Sequence, residues 1–143
     1  MITETPSVSQ LSQVISQAIA PAFLLGALAA FISLLILRMN RVVDRSQSLN
    51  AIADSDVTRA PLKADLPRLK QRAVLLNRAI FYASTSAIFA TLVVMVAFVS
   101  AFFGIEHERG IAVLFVINLG FFAAALINLA REARIALHEF DYL

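Results

Sequence analysis

The sequence predicts an all-α integral membrane protein: three transmembrane helices, the first two extended into a cytoplasmic antiparallel helical hairpin. Two observations carry this prediction. Residues 5–37, 79–105 and 111–130 contain no Asp, Glu, Lys or Arg, and residues 38–78 hold nine of the twelve basic side chains. Composition agrees, with 59% hydrophobic residues, 15% charged residues and a mean hydropathy of +0.79.

The run lengths match the bilayer. A hydrocarbon core of about 30 Å needs about 20 helical residues. The second run has 27 residues, the third has 20, and the most apolar part of the first, residues 18–37, also has 20. Every backbone amide and carbonyl must be satisfied internally there, and a helix does this. The predicted spans cover about residues 14–37, 79–104 and 111–130, in one membrane domain of residues 1–143. Before residue 38 there is no Lys or Arg, and Arg38, Arg41 and Arg45 follow the first run at once. A secretory signal begins with positive charge, so the first run is expected to stay as a span. Short loops rich in Lys and Arg remain in the cytoplasm. Residues 38–78 and the tail 131–143, with Arg131 and Arg134, are therefore expected inside and the N-terminus outside.

The first helix is expected from Val8 to Ala53. Its outer part carries Gln10, Gln13 and Gln17 at i, i+3, i+7, with Ser9, Ser12 and Ser16 in a parallel row. Together they form one broad polar face opposite Val8, Leu11, Ile15 and Ile19. Such a face suits the lining of a water-filled conduit or an amphipathic segment at the outer headgroups. Pro21 removes a backbone hydrogen bond and is expected to kink the helix.

Beyond the first span, Leu35, Met39, Val42, Leu49 and Ala53 follow a heptad pattern, as do Leu66, Leu69, Ala73, Leu76 and Ile80 before the second. Residues 54–61, DSDVTRAP, have the composition of a turn. Asp65 is the expected N-cap of the second helix, which runs from Leu66 to Gly104. Residues 38–78 thus read as a helical stalk. The stripe Arg38, Arg41 and Arg45 is expected to face anionic lipid headgroups or an acidic partner, with Asp44 close to Arg41 and Arg45.

Small residues mark where membrane helices approach closely. Ala22, Gly26 and Ala30 lie along one line of the first span, Ala97 and Ala101 along the second, and Gly120, Ala124 and Asn128 along the third. These faces predict a homo-oligomer or docking into a larger membrane complex. Asn118, eight residues into its run, is expected to hydrogen-bond across a helix interface, or to face the conduit if one exists. Ser84, Thr85, Ser86 and Thr91 can bond to the carbonyls four residues before them.

No catalytic constellation is visible. His107 stands beside Glu106 and Glu108, and His138 beside Glu139 with Asp141 nearby; neither group has the spacing of a zinc site. With four glycines there is no phosphate-binding loop, and with no cysteine no disulfide or thiolate ligand. The charge-free spans argue against a proton pump or a haem-bearing subunit. The basic residues lie against a membrane without interleaved exposed aromatics, so no nucleic-acid partner is expected. Neither an enzyme, a metal nor a cofactor is predicted.

The stretch IAPAFLLGALAAFISLLILRMNRVVDR, then LPRLKQRAVLLNRAI and the ending LINLAREARIA, resembles a bacterial family of three-span membrane proteins catalogued as a domain of unknown function. Pro21, Arg38, Arg41, Arg45 and Glu132 occupy the family's motif positions. The resemblance implies a bacterial cytoplasmic membrane location and supplies no activity. Two functional classes follow. One is a structural or interaction component that packs through small-residue faces against itself or other membrane subunits. The other is a homo-oligomeric ion or small-solute pore lined by the Gln/Ser face of the first helix.

Overall fold

The computed structural model describes residues 8–105 and 108–140. Helix α1 runs Val8–Asn50, α2 Leu66–Phe103 and α3 Glu108–Phe140, with a short 3-10 helix, Ala60–Asp65, before α2. There is no strand among the described residues. All three long helices are long and apolar enough to cross a membrane. They contribute to two compact units: residues up to Phe31 with Ala83–Phe122, and Ile32–Tyr82 with the chain from Ala123 onward.

Buried positions follow a seven-residue period along each helix. On α1 the row is Pro21, Leu28, Leu35, Val42 and Leu49, with Ala18 buried three residues before it. On α2 one row is Leu69, Leu76, Ala83, Ala90 and Ala97, and a second is Ala79, Ser86, Val93 and Ser100. On α3 the row is Asn118, Ala125 and Glu132. A heptad repeat keeps one stripe of a helix against its neighbours over many turns. The expected stripe is therefore present on α1 at Leu35, Val42 and Leu49, but it ends on buried Ile52 with Ala53 exposed. On α2, Leu69 and Leu76 are buried as expected, whereas Leu66, Ala73 and Ile80 are only half-buried. The second buried row instead lies three residues after the first, because Ser86 on it faces a third helix. Ring contacts complete the packing of the first unit: Phe31 meets Phe122 edge-on at 5.5 Å between centroids, and Phe89 stacks on Phe121 at 5.5 Å.

Several element boundaries differ from expectation. Helix α1 ends at Asn50 rather than Ala53, and Pro21 lies inside a continuous α1. Turns occupy most of the expected stretch 54–61, and the 3-10 helix takes over from Ala60, so Asp65 ends that segment instead of capping α2, which starts directly from Leu66. Pro61 fits the first turn of that segment, where its missing amide has no partner to lose. At the other end of α2, Gly104 has φ 66°, its amide donates to the Ala101 carbonyl, and the Ile105 amide donates to the Ser100 carbonyl. This pair of bonds is a Schellman cap, and its left-handed residue favours glycine.

The connection after α1 is held by Asp56, whose Oδ1 accepts from the Thr58 hydroxyl at 2.8 Å and from the Thr58 and Arg59 amides at 3.2 Å each. The Thr58 hydroxyl bond, chiefly, holds the Asp56 carboxyl below its ordinary range; the Lys63 bond at 2.8 Å does the same for Asp54. A carboxyl whose folded value is depressed contributes above its ordinary value of about 3.9, and that contribution is lost as pH falls through the lower folded value. The amide resonances of Thr58 and Arg59 are expected to hold constant on acidification into the ordinary carboxylate range and to move only below it. In Asp56→Ala they should sit at the shifted position throughout; NMR titration checks both.

Candidate functional site

Glu132 is the most constrained charged side chain. It has no exposure, although it follows the apolar stretch of α3 by two residues. Arg38 of α1 donates to its Oε2 from Nε at 2.9 Å and from Nη2 at 2.7 Å. Arg72 of α2 donates from Nε to Oε1 at 2.9 Å. One carboxylate thus engages all three helices. Its place follows from the heptads: Glu132 lies seven residues after buried Ala125, and Arg72 seven before buried Ala79. A buried carboxylate is expensive unless paired and hydrogen-bonded, and two guanidinium groups supply both. The three groups carry a net positive charge of one. Their chemistry is that of a fixed structural tie, because no oxygen of the carboxylate is left without a donor.

The second polar tie is Ser86 of α2 with Asn118 of α3, both without exposure. The Ser86 hydroxyl is 3.0 Å from the Asn118 main-chain oxygen and also contacts its Oδ1, while Asn118 Nδ2 has no hydrogen-bond partner. A hydroxyl has a single proton and cannot donate to both oxygens. The arrangement that balances donors and acceptors has the amide turned over, with Nδ2 donating to Ser86 Oγ and the hydroxyl donating to the main-chain oxygen. Ser86 therefore bonds across the interface and not to its own helix, correcting the sequence expectation. Thr91 does bond its own helix, at 2.9 Å to the Ala87 carbonyl.

The remaining sequence-predicted residues fall into separate places. Ser9, Gln10, Ser12, Gln13, Ser16 and Gln17 are all exposed, and the Ser16 hydroxyl donates to the Ser12 carbonyl at 2.9 Å. Gln17 lines an open cleft of about 360 Å³ with Ala20, Pro21, Ile111, Ala112 and Phe115. Ser16 borders a second, of about 480 Å³, whose other walls are apolar residues of α1 and α3 such as Phe23 and Leu119. Neither cleft brings Asn118 together with the Gln/Ser face. Ala22, Gly26, Ala30 and Gly120 are exposed, and a Cβ on Gly26 or Gly120 would meet no atom within 4 Å. Ala124 is half-buried; Asn128 is buried and donates from Nδ2 to the Ala124 carbonyl at 2.8 Å. Arg41 and Arg45 are exposed, whereas Arg38 is engaged by Glu132. Asp44 is exposed and makes no ion pair among the described residues.

No group of three or more metal-ligating side chains forms among the described residues. Glu106, His107 and Asp141 lie outside them, as do the side chains of Glu108 and Glu139, while His138 is exposed.

Three long apolar helices, a proline early in the first and a carboxylate within the third, just past its apolar stretch, accompany a match to a family sequence model over residues 18–142. The chain belongs to the DUF2721 family. Its members are described as proteins of unknown function. No curated protein and no solved structure matches the chain. Pro21, Arg38, Arg72, Ser86, Asn118 and Glu132 fall within the span of this DUF2721 match, whereas the polar row from Ser9 to Gln17 lies ahead of it.

Sequence reasoning missed Arg72 and the joining of Arg38 to Glu132. One signal was available: Glu132 is the first acid after the charge-free third run, at the same edge of the apolar stretches as Arg38. Breaking a buried ion pair by removing one partner costs about 3–5 kcal/mol. Glu132→Ala, which leaves two guanidinium groups together, should therefore destabilise the fold by about that much, measured by denaturant titration of helicity. Removing the charges together, as Arg38→Met, Arg72→Met and Glu132→Leu, should recover most of the loss. Ser86→Ala should cost about 1 kcal/mol, the ordinary value of an interhelical bond of this kind.

Proposed function

We propose that the protein is a non-enzymatic structural or interaction component of the bacterial cytoplasmic membrane, with its N-terminus outside and its C-terminus inside. Membrane placement is supported by the apolar surface the helices leave uncovered. Phe23 is 80% exposed, Phe102 75% and Val116 67%, and their neighbours are equally apolar. Water-soluble proteins seldom expose such contiguous surface. Orientation rests on the Lys and Arg count of residues 38–78, and the stalk reading on the large buried residues Leu49, Leu69 and Leu76 there.

The observation that carries the interaction reading is the open space at Gly26 and Gly120. Ala22, Gly26 and Ala30 of α1 and Gly120 of α3 are exposed, so these positions remain available for another helix, whereas Ala124 and Asn128 are drawn inward. The internal ties are already provided by Glu132 and Asn118. A second reading, the homo-oligomeric pore, draws on the exposed Gln10, Gln13 and Gln17. Among the described residues the clefts beside this row are mostly apolar, so a pore would be built from several copies. The position of this row ahead of the DUF2721 match favours the interaction reading.

Gly26→Leu is expected to weaken self-association, or retention in a larger complex, as read by native mass spectrometry after gentle extraction. A monomer indifferent to the change would remove α1 from the interface. The purified chain in liposomes should conduct no more than protein-free controls. Flux that falls in Gln13→Leu with Gln17→Leu would establish the pore instead.

A further inference from the structure

We propose that Arg78 is a binding site for the phosphate of an anionic phospholipid in the cytoplasmic leaflet, seated deeper along α2 than the Arg38–Glu132–Arg72 tie. The proposal rests on the membrane placement and orientation just given.

The outward face of α2 shows where its surroundings change. Lys70, Gln71, Val74, Asn77, Arg78 and Phe81 are exposed in succession, and the next large exposed residue is Ile88. Apart from Val74 the face is polar up to Arg78, and Phe81 and Ile88 beyond it are apolar. The buried row of α2 changes at the same place, from Leu69 and Leu76 to Ala83, Ala90 and Ala97. Large aliphatic side chains gain from burial only where water is the alternative, whereas close approach through small ones is the means of packing in lipid. The exposed face therefore puts the water-to-lipid boundary of α2 between residues 78 and 81, and the change in its first buried row, between 76 and 83, agrees.

On the other two helices the boundary lies elsewhere. Ile36 and Leu37 of α1 are exposed and apolar up to Arg38, with Asn40 and Arg41 exposed beyond. Ile127 of α3 is exposed, and Arg131 is the first exposed charge after it. Both helices thus turn polar at the level of the Glu132 tie. Arg72 marks that level on α2, and Arg78 lies six residues further along, about 9 Å at 1.5 Å per residue. An exposed guanidinium consequently stands at a depth where α1 and α3 present aliphatic side chains.

Among the described residues Arg78 makes no hydrogen bond or ion pair, and Arg38 and Arg72 are already committed to Glu132. A second copy of the chain offers no acid at that depth. Residues 66–105 and 109–131 contain neither Asp nor Glu, nor do residues 5–43. An anionic phospholipid provides what is missing: a phosphate that matches the planar guanidinium fork, with no choline cation competing for it, and acyl chains for Phe81 on the apolar side. Drawing one headgroup into this notch spares Arg78 an unpaired position in hydrocarbon.

The test reconstitutes the full chain in vesicles of phosphatidylcholine alone or mixed with phosphatidylglycerol, then counts retained lipid by native mass spectrometry. The wild-type chain should keep phosphatidylglycerol in preference to phosphatidylcholine. Arg78→Gln should reduce that retention about fivefold, the scale expected for one basic residue at an anionic surface, with helicity and melting unchanged. Arg41→Gln, an exposed control, should reduce it far less. Equal retention in Arg78→Gln overturns the site, and so does an equal fall in Arg41→Gln, which would reduce the effect to general surface charge. Recovery from native membranes of an acidic protein held through Arg78, without lipid selectivity, also overturns it. Flotation of the wild-type chain with phosphatidylcholine vesicles separates the two levels. A chain that does not float fails the membrane reading; one that floats with indifferent Arg78→Gln fails the lipid site alone.

Discussion

An ionised carboxylate with no exposure depends on donors that are already in place, and Glu132 finds them on two other helices. This dependence sets its role. Apolar helices in lipid gain little by choosing one register over another, since a shift exchanges one aliphatic contact for a similar one. Three charge-assisted bonds from Arg38 and Arg72 have no such equivalent. Shifting any of the three helices by one turn would strand a charge. The tie is thus better understood as specifying which residues face each other than as a net source of stability, because the desolvation of three charged groups offsets much of their attraction. Ser86 with Asn118 does the same with uncharged groups.

The legibility of the fold followed the contrast between a residue and its surroundings. From Leu35 to Leu49 and from Leu69 to Leu76 about half of the intervening positions are polar, so the buried row could be read as a heptad pattern. Along residues 83–100 and 111–128 most positions are apolar, and the inward and outward sides look alike. There the burial of Ala83, Ala90 and Ala125 appears only in three dimensions. The same loss of contrast hid the second row of α2, which carries Arg72, Ala79 and Ser86. Element ends were missed for a different reason. The 3-10 helix at Ala60–Asp65 and the Asp56 turn depend on local hydrogen bonds that several polar residues in that stretch could have made.

Of the candidate site, the individual residues were legible and their grouping was not. Asn118 was marked by its amide inside an apolar run, Glu132 by resemblance and Arg38 by its exit position. Their partners lie 32 to 94 residues away in sequence, beyond the reach of any local pattern. Arg38 illustrates the difficulty. Within the stripe of Arg38, Arg41 and Arg45, nothing in the spacing separates the member that turns inward from the two that stay exposed. That distinction comes from the buried rows: Arg38 lies three residues after Leu35, on the side that meets α3.

The stoichiometry of the tie has a consequence for orientation. One arginine would suffice to neutralise Glu132, and a one-to-one pair would fix the helices while contributing no charge. Two arginines leave a surplus of one positive charge at the edge of the apolar stretches. Guanidinium suits this place better than ammonium would. It remains charged in a low-dielectric setting, and its planar fork lets Nε and Nη2 of Arg38 converge on a single oxygen. In the proposed topology, the bond network that holds α1, α2 and α3 together therefore keeps part of the positive charge that retains this edge in the cytoplasm. Reversing the excess, with two carboxylates around one arginine, would serve packing equally and orientation poorly, and so the sign of the surplus is set by the membrane and not by the fold.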